Sequence, residues 1–364
     1  MFLIRADGNA KIGAGHLMRC LTIADELSKL TDSREILFLC ADKQSAELAA
    51  SRGYETFVLK SDPQDMEEEL PAWEKILEEN SKTHVIIVDS YYVTNRYLRE
   101  IGKYGYVMLL DDMGVQRFFA DGVINYNAFA DRQQYENLYR PGNTELILGS
   151  DYVPVRPQFR EGSYRVRERA ENILITTGGG DADNIAGRIL QEMKHRTAQM
   201  ITGDTLNYHL VIGTFSPHFK EMEELVMTSP NIYIYHNVHD MAALMRQCDL
   251  AITAGGSTIY ELAAVGVPFI CFSYAENQEK ITEYLGREGI AYFAGAFHRE
   301  GDVVLGRIAE QACDLSRDYH KRNECYLKIK TLTDGAGAER IAKILIGRRP
   351  IRAAEKVEGE KRSD

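Results

Sequence analysis

Short apolar runs of strand length alternate with longer stretches in which apolar side chains recur every three or four positions. In the first half, Phe2–Arg5, Glu35–Cys40, Thr56–Leu59, His84–Asp89 and Tyr106–Leu110 have the pattern of strands, and Leu17–Leu30, Gln44–Ser51, Pro63–Asn80 and Asn95–Lys103 that of the helices between them. Extended pieces at Gly122–Asn125 and Leu146–Leu148 close a first sheet. Pro154 and Pro157 interrupt the pattern and open a charged stretch to Glu171, which places a domain boundary there. The alternation resumes at Asn172–Thr176 and continues through Tyr208–Ile212, Ile232–Tyr235, Leu250–Thr253, Pro268–Phe272 and Ala291–Phe293. Strands joined through helices pair in parallel, and the helices then cover both faces of the sheet. The expected fold class is therefore α/β, with two Rossmann-like domains whose parallel sheets face a central cleft. The expected boundaries are 1–153 for the first domain, 154–171 for a linker, 172–347 for the second domain and 348–364 for a charged, disordered tail.

At 364 residues and 45% hydrophobic content, the chain can bury two substantial cores. Its 43 basic and 54 acidic side chains leave a formal charge of −11, which repels a polyanion on average and argues against nucleic acid as a partner. Cys20, Cys40, Cys248, Cys271, Cys313 and Cys325 are scattered without metal-ligand spacing, as reduced thiols are. Met1–Asp7 lacks the order of a signal peptide, and no apolar run reaches the length of a bilayer. The expectation is a cytoplasmic protein without membrane insertion.

Two glycine-bearing segments carry the candidate chemistry. Thr253–Pro268 has the pattern of strand, turn and helix leading into another strand. Gly255 and Gly256 remove side chains where backbone would approach a ligand, and Ser257 and Thr258 fall at a helix N-terminus whose free N–H groups suit an anion, here a phosphate. Glu261, about one turn further on, is placed to meet a ribose diol if that phosphate belongs to a nucleotide; an ordinary βα turn with Glu261 on a solvated face is the competing reading. The second segment, Arg5–Cys20, joins the first strand to the first helix, at the sheet edge where α/β proteins bind ligands. Gly13 and Gly15 let this loop fold tightly, and His16 falls at the helix start, where the dipole favours a neutral imidazole able to take a proton from water. The bland alternative is a satisfied polar residue near a loop. Gly13-Ala14-Gly15 lacks the third glycine of a dinucleotide fingerprint, so NAD is not implied.

Arg5-Ala6-Asp7, Gly13–Cys20, Val88–Tyr91, Leu110-Asp111-Asp112, Gly178–Asp181 and Ala254–Glu261 together resemble the PseG-type hydrolases of pseudaminic acid (nonulosonate) biosynthesis, which are similar in fold to the GT-B glycosyltransferase MurG. The resemblance spans most of residues 1–300, and Gly15-His16-Leu17-Met18-Arg19-Cys20 is particular to this branch, whereas the C-terminal motif recurs in many GT-B enzymes. It implies a GT-B-like fold and a metal-free, cofactor-free hydrolysis of UDP-2,4-diacetamido-2,4,6-trideoxy-β-L-altropyranose. A histidine at the His16 position would assist water attack at the anomeric carbon, with C1–O cleavage and inversion. The implied UDP contacts are Gly13, Gly15, Gly178, Gly179, Gly255, Gly256, Ser257 and Thr258, with the uracil near His236-Asn237-Val238 and the ribose on Glu261. Tyr91 would face the substrate, and Arg19, Asn277 and Gln278 would meet the sugar. The implied partners are the UDP-sugar and other sugar-pathway enzymes, in the service of flagellin or surface-polysaccharide glycosylation.

The remaining candidates divide between roles. Asp89 ends the strand at the expected catalytic edge, where it acts in catalysis or caps the next turn. Asp111 and Asp112 orient His16, raise one another's pKa, or cap the following loop. Gly178–Gly180 is a phosphate loop or a flexible turn. No histidine pair has the helical spacing of a zinc site, and no serine or cysteine sits in a nucleophile elbow. The alternatives to hydrolysis are a UDP-sugar glycosyltransferase of the same fold and a non-catalytic nucleotide-sugar-binding subunit. The acidic stretch 62–80 offers a lipid acceptor no basic apolar face.

Overall fold

The computed structural model describes residues 1–9, 12–79, 84–179, 181–198, 206–213, 216–219, 222–223 and 229–348. Lys11, Asn80, Gly180 and the expected tail from 349 onward lie outside the described residues. The chain forms two compact units, residues 1–154 with 336–364, and residues 155–335.

The sheet of the first unit contains β1 (Phe2–Ala6), β2 (Ile36–Cys40), β3 (Glu55–Val58), β4 (His84–Asp89), β5 (Gly105–Leu110), β6 (Gly122–Asn125) and β7 (Glu145–Leu148), in the order β3-β2-β1-β4-β5-β6-β7. All neighbours run parallel. Every residue of β1 and β4 is buried, as befits central strands covered on both faces. The strand order reverses between β1 and β4, which pair with Ala6 opposite Asp89. Loops leaving the two strands therefore diverge above this point and open the crevice in which such sheets bind ligands.

The second unit repeats the design with β8 (Asn172–Thr176), β9 (Asn207–Ile212), β10 (Ile232–His236), β11 (Leu250–Ala254), β12 (Phe269–Ser273) and β13 (Tyr292–Ala296), in the parallel order β10-β9-β8-β11-β12-β13. Its switch point lies between β8 and β11. Ile173, Ile175, Leu250, Ile252 and Ile270 pack with Ile189 and Met193 of the helix Ile185–Ala198 and Ile308 and Ala312 of the helix Val303–Arg317.

The boundaries differ from the sequence expectation in two places. Most of the expected linker 154–171 packs on the second unit. Arg246 donates to the carbonyls of Gln158 and Glu161 at 3.1 and 2.9 Å, and the buried Arg322 to those of Arg167 and Glu168 at 2.8 and 3.0 Å. Nor does the second unit extend to 347. The helix Gly337–Ile346 belongs to the first unit, packs on the helix Gly15–Leu27, and buries Ile341, Ala342 and Leu345. Gly337 makes this return possible, because a Cβ there would stand 2.2 Å from the Val153 carbonyl oxygen.

The acidic stretch 62–80 also differs from an even helix. A 3-10 turn, Met66–Glu69, precedes the helix Leu70–Glu79. Glu69 is buried because it pairs with the buried guanidinium of Arg5, and it accepts from Ser61 and Tyr97 hydroxyls at 2.9 and 3.0 Å.

Candidate active site

In the first unit, β1 delivers the chain to a loop in which the Gly13 amide donates to the Asn9 carbonyl at 2.9 Å, with Gly13 at φ +78°. The helix Gly15–Leu27 follows, with no side-chain N-cap and no acidic residue of its own in its first turn. His16 lies in that turn, and its Nδ1 stands 2.6 Å from Oδ1 of Asp89, the last residue of β4. Arg19 sits one position short of a full turn further on. Its Nε and Nη2 meet Oδ2 and Oδ1 of Asp89, both at 2.5 Å, and its Nη1 meets Asp112 at 2.6 Å and the Tyr126 hydroxyl at 2.5 Å. The Tyr91 ring stands edge-on to the His16 ring, with centroids 4.5 Å apart, and its hydroxyl donates to Asp112 at 3.2 Å.

Burial alone would push the Asp89 carboxyl up, but Arg19 and His16 beside it hold it well below the usual carboxylate range. An ionised carboxylate only accepts hydrogen bonds. The short contact therefore has His16 Nδ1–H as donor, and in the neutral imidazole the lone pair is left on Nε2. Arg19 Nη2, 3.0 Å from the same Nδ1, is then a neighbouring cation and not a donor to it. Around the pair is a pocket lined by Asp7, Ile12, His16, Pro63, Gln64, Asp89, Ser90, Tyr91 and Tyr92. Carboxylates, an amide, hydroxyls and two aromatic rings are the lining a sugar requires.

Several residues take different roles from those open in the sequence. Asp89, and neither Asp111 nor Asp112, contacts His16. Asp111 caps its own turn, accepting from the Met113 and Gly114 amides at 3.0 and 3.1 Å and from the Tyr135 hydroxyl at 3.0 Å. Asp112 is a counter-ion to Arg19. Arg19, expected at the sugar, directs four of its five N–H donors to Asp89, Asp112 and Tyr126.

In the second unit, Gly178 at φ +91° and Gly179 form an open turn after β8, with no atom within 4 Å of a Cβ built on either. The Asp181 carboxylate accepts from the Ile185 and Ala186 amides at 2.7 and 2.9 Å and so starts the next helix. After β11, Gly256 and Ser257 are exposed, and Ser257 caps the helix Thr258–Val265 without a side-chain hydrogen bond. Gly256 has open space around it. Gly255 is different: a Cβ there would meet Thr282 Cγ2 at 2.7 Å and Gln278 Cβ at 2.9 Å, so its missing side chain serves internal packing.

Glu261 does not lie on a solvated face. Its side chain is 19% exposed and meets Arg156 Nη2 at 3.3 Å. Burial pushes its carboxyl up, and Arg156 opposes that shift. Arg156 escaped the sequence reading because its partner is far along the chain; the rigid Val153–Pro157 run was the only sign of a fixed side chain there. Val238 is half-buried in the loop after β10, next to Asn237 at φ +53°. Asn277 is exposed on the 3-10 turn Glu276–Gln278. Gln278, also expected at the sugar, is buried, and its Oε1 accepts from the Tyr274 amide at 3.1 Å.

Among the described residues, no group of three or more His, Cys, Asp or Glu is placed to hold a metal ion, and no helix is long and apolar enough to cross a membrane. All six cysteines are free and buried.

Residues 172–293 match the family described as glycosyltransferase family 28 C-terminal domain. Over 349 residues the chain is 26% identical to the spore coat polysaccharide biosynthesis protein SpsG of Bacillus subtilis (strain 168), covering 94% of this chain and 96% of that protein. Over 290 residues it is 24% identical to the UDP-2,4-diacetamido-2,4,6-trideoxy-beta-L-altropyranose hydrolase of Campylobacter jejuni, covering 79% of this chain and 96% of the relative. Among solved structures it is similar to MurG of Acinetobacter baumannii, with a TM-score of 0.66, 15% identity, and coverage of 95% of this chain and 99% of that one. By architecture the protein is thus α/β and GT-B-like, and its match to the family 28 domain lies within its second unit.

Proposed function

We propose that this protein is a nucleotide-sugar enzyme that hydrolyses a UDP-linked sugar at the anomeric carbon–oxygen bond. The observation that carries the reading is the Asp89–His16 pair, which leaves an imidazole lone pair on Nε2 of a residue that lines a polar and aromatic pocket. Water loses a proton to Nε2 as its oxygen attacks the anomeric carbon. The electron pair of the breaking C1–O bond leaves with UDP, and the imidazolium that forms stays beside the Asp89 carboxylate. One displacement inverts the configuration. General-base assistance of this kind contributes about 10²- to 10⁴-fold. UDP is assigned to the second unit, with a phosphate at the Gly256-Ser257-Thr258 helix N-terminus and the Gly178-Gly179 turn, the uracil near Val238 and the ribose on Glu261. Helix N-termini stabilise a departing diphosphate without a metal ion.

The likeness to the Campylobacter hydrolase supports UDP-2,4-diacetamido-2,4,6-trideoxy-β-L-altropyranose as the substrate and a place in nonulosonate synthesis. The match to a glycosyltransferase domain supports a second reading, transfer of the sugar to an alcohol, in which His16 deprotonates the acceptor instead of water. Incubation with a panel of UDP-sugars and no acceptor separates the two. Hydrolysis gives UDP and free sugar at many turnovers, with the diacetamido sugar favoured. UDP release that requires an added alcohol establishes the transferase.

A further inference from the structure

We infer that Arg19 is the positioning residue that fixes which nitrogen of His16 acts as the base. The catalytic consequence rests on the hydrolytic reading above; the effect on the histidine tautomer does not. Asp89, Asp112 and Tyr126 stand at the carboxyl ends of the adjacent strands β4, β5 and β6, and one guanidinium on the helix that carries His16 holds all three. Nε and Nη2 form a fork on both oxygens of Asp89, a geometry that guanidinium supplies and ammonium does not. The Arg19 side chain is only 10% exposed and its donors are turned to protein groups, so it acts through them and not on the sugar.

Removing this cation leaves the fully buried Asp89 carboxylate with His16 as its remaining ion-pair partner. The Asp89–His16 pair then takes up a proton between Oδ1 and Nδ1. Whether as acid beside imidazole or as carboxylate beside imidazolium, Nε2 then carries a hydrogen and has no lone pair for water. The Cys20 thiol, a weak donor 3.5 Å from Asp89, does not replace the guanidinium.

The test compares Arg19→Gln and Arg19→Lys with the unaltered full-length protein. Imidazole ¹⁵N NMR reports the His16 tautomer, with the signal assigned by its loss in His16→Asn. Steady-state kinetics report the reaction, and UDP calorimetry reports folding of the nucleotide unit. In the unaltered protein hydrogen is expected on Nδ1. Arg19→Gln is expected to put hydrogen on Nε2 in part or all of the molecules, and to lower kcat at least about tenfold, less than the roughly 10²- to 10⁴-fold of a fully lost base because part of the population keeps the productive form, with KM little changed. Arg19→Lys restores the charge but not the fork, and recovers part of both. An unchanged tautomer and kcat with raised KM in Arg19→Gln would overturn the inference and make Arg19 a sugar ligand. If Arg19→Gln does not fold, Arg19→Lys decides by the same two readouts. If the unaltered protein hydrolyses no UDP-sugar, the hydrolytic reading fails, and the NMR comparison still decides what Arg19 does.

Discussion

A histidine serves as a base when one ring nitrogen is held as a donor and the other faces the reacting molecule, and Asp89 supplies the first condition for His16. If His16 is that base, His16→Asn is expected to lower kcat by about 10²-fold or more while calorimetry finds UDP binding unchanged. Near-unaltered turnover would move the assignment elsewhere. Glu261 couples UDP binding to pH. Its carboxyl is raised above the usual carboxylate value by burial, and only the ionised form accepts both ribose hydroxyls, so acidification should weaken UDP binding before an ordinary glutamate would protonate. Subtracting the Glu261→Gln profile removes the titration of the phosphate itself, and the two profiles should diverge at a pH above 4.5. Parallel profiles would remove Glu261 from the ribose. His16 was legible in the sequence because a glycine pair marks the loop before it. Its pairing with Asp89 was not, since the two are 73 positions apart and only the parallel pairing of β1 with β4 brings them together. The partners of Arg19 were not legible for the same reason: they come from three different strand ends.

At the scale of elements, the two glycines after β11 have different reasons to be glycine, and this separates binding from packing. Gly255→Ala puts a methyl against Gln278 and Thr282 and is expected to cost about 1–3 kcal/mol of stability, the usual scale of overpacking. Gly256→Val places its side chain in open space at the helix N-terminus, so thermal unfolding should hardly move while UDP affinity falls. The contrast fails if Gly256→Val binds UDP as the unaltered protein does. Strands were the most legible elements: His84–Asp89 and Gly122–Asn125 match their expected bounds, because buried parallel strands form continuous apolar runs. The acidic stretch was less legible, since Glu69 has the sequence signature of a solvated surface and becomes a buried partner only once Arg5 is placed beside it.

For the whole molecule, both rounds of strand–helix alternation were visible in the sequence, and both sheets are parallel. The return of the chain to its first unit was not, because the apolar stripe of Gly337–Ile346 announces a buried face without saying what covers it. Leu345→Ala is therefore expected to destabilise the first unit by about 2–5 kcal/mol, the scale of a buried leucine truncation, and hydrogen exchange should find the amides of Gly15–Leu27 less protected. Unchanged protection there would contradict this packing. Whether water takes the sugar is decided by turning over the diacetamido UDP-sugar in ¹⁸O-water and locating the label by mass spectrometry. Attack at the anomeric carbon puts ¹⁸O in the free sugar and none in UDP; label in the phosphate of UDP would contradict this, placing the attack on phosphorus and leaving His16 without the role assigned to it.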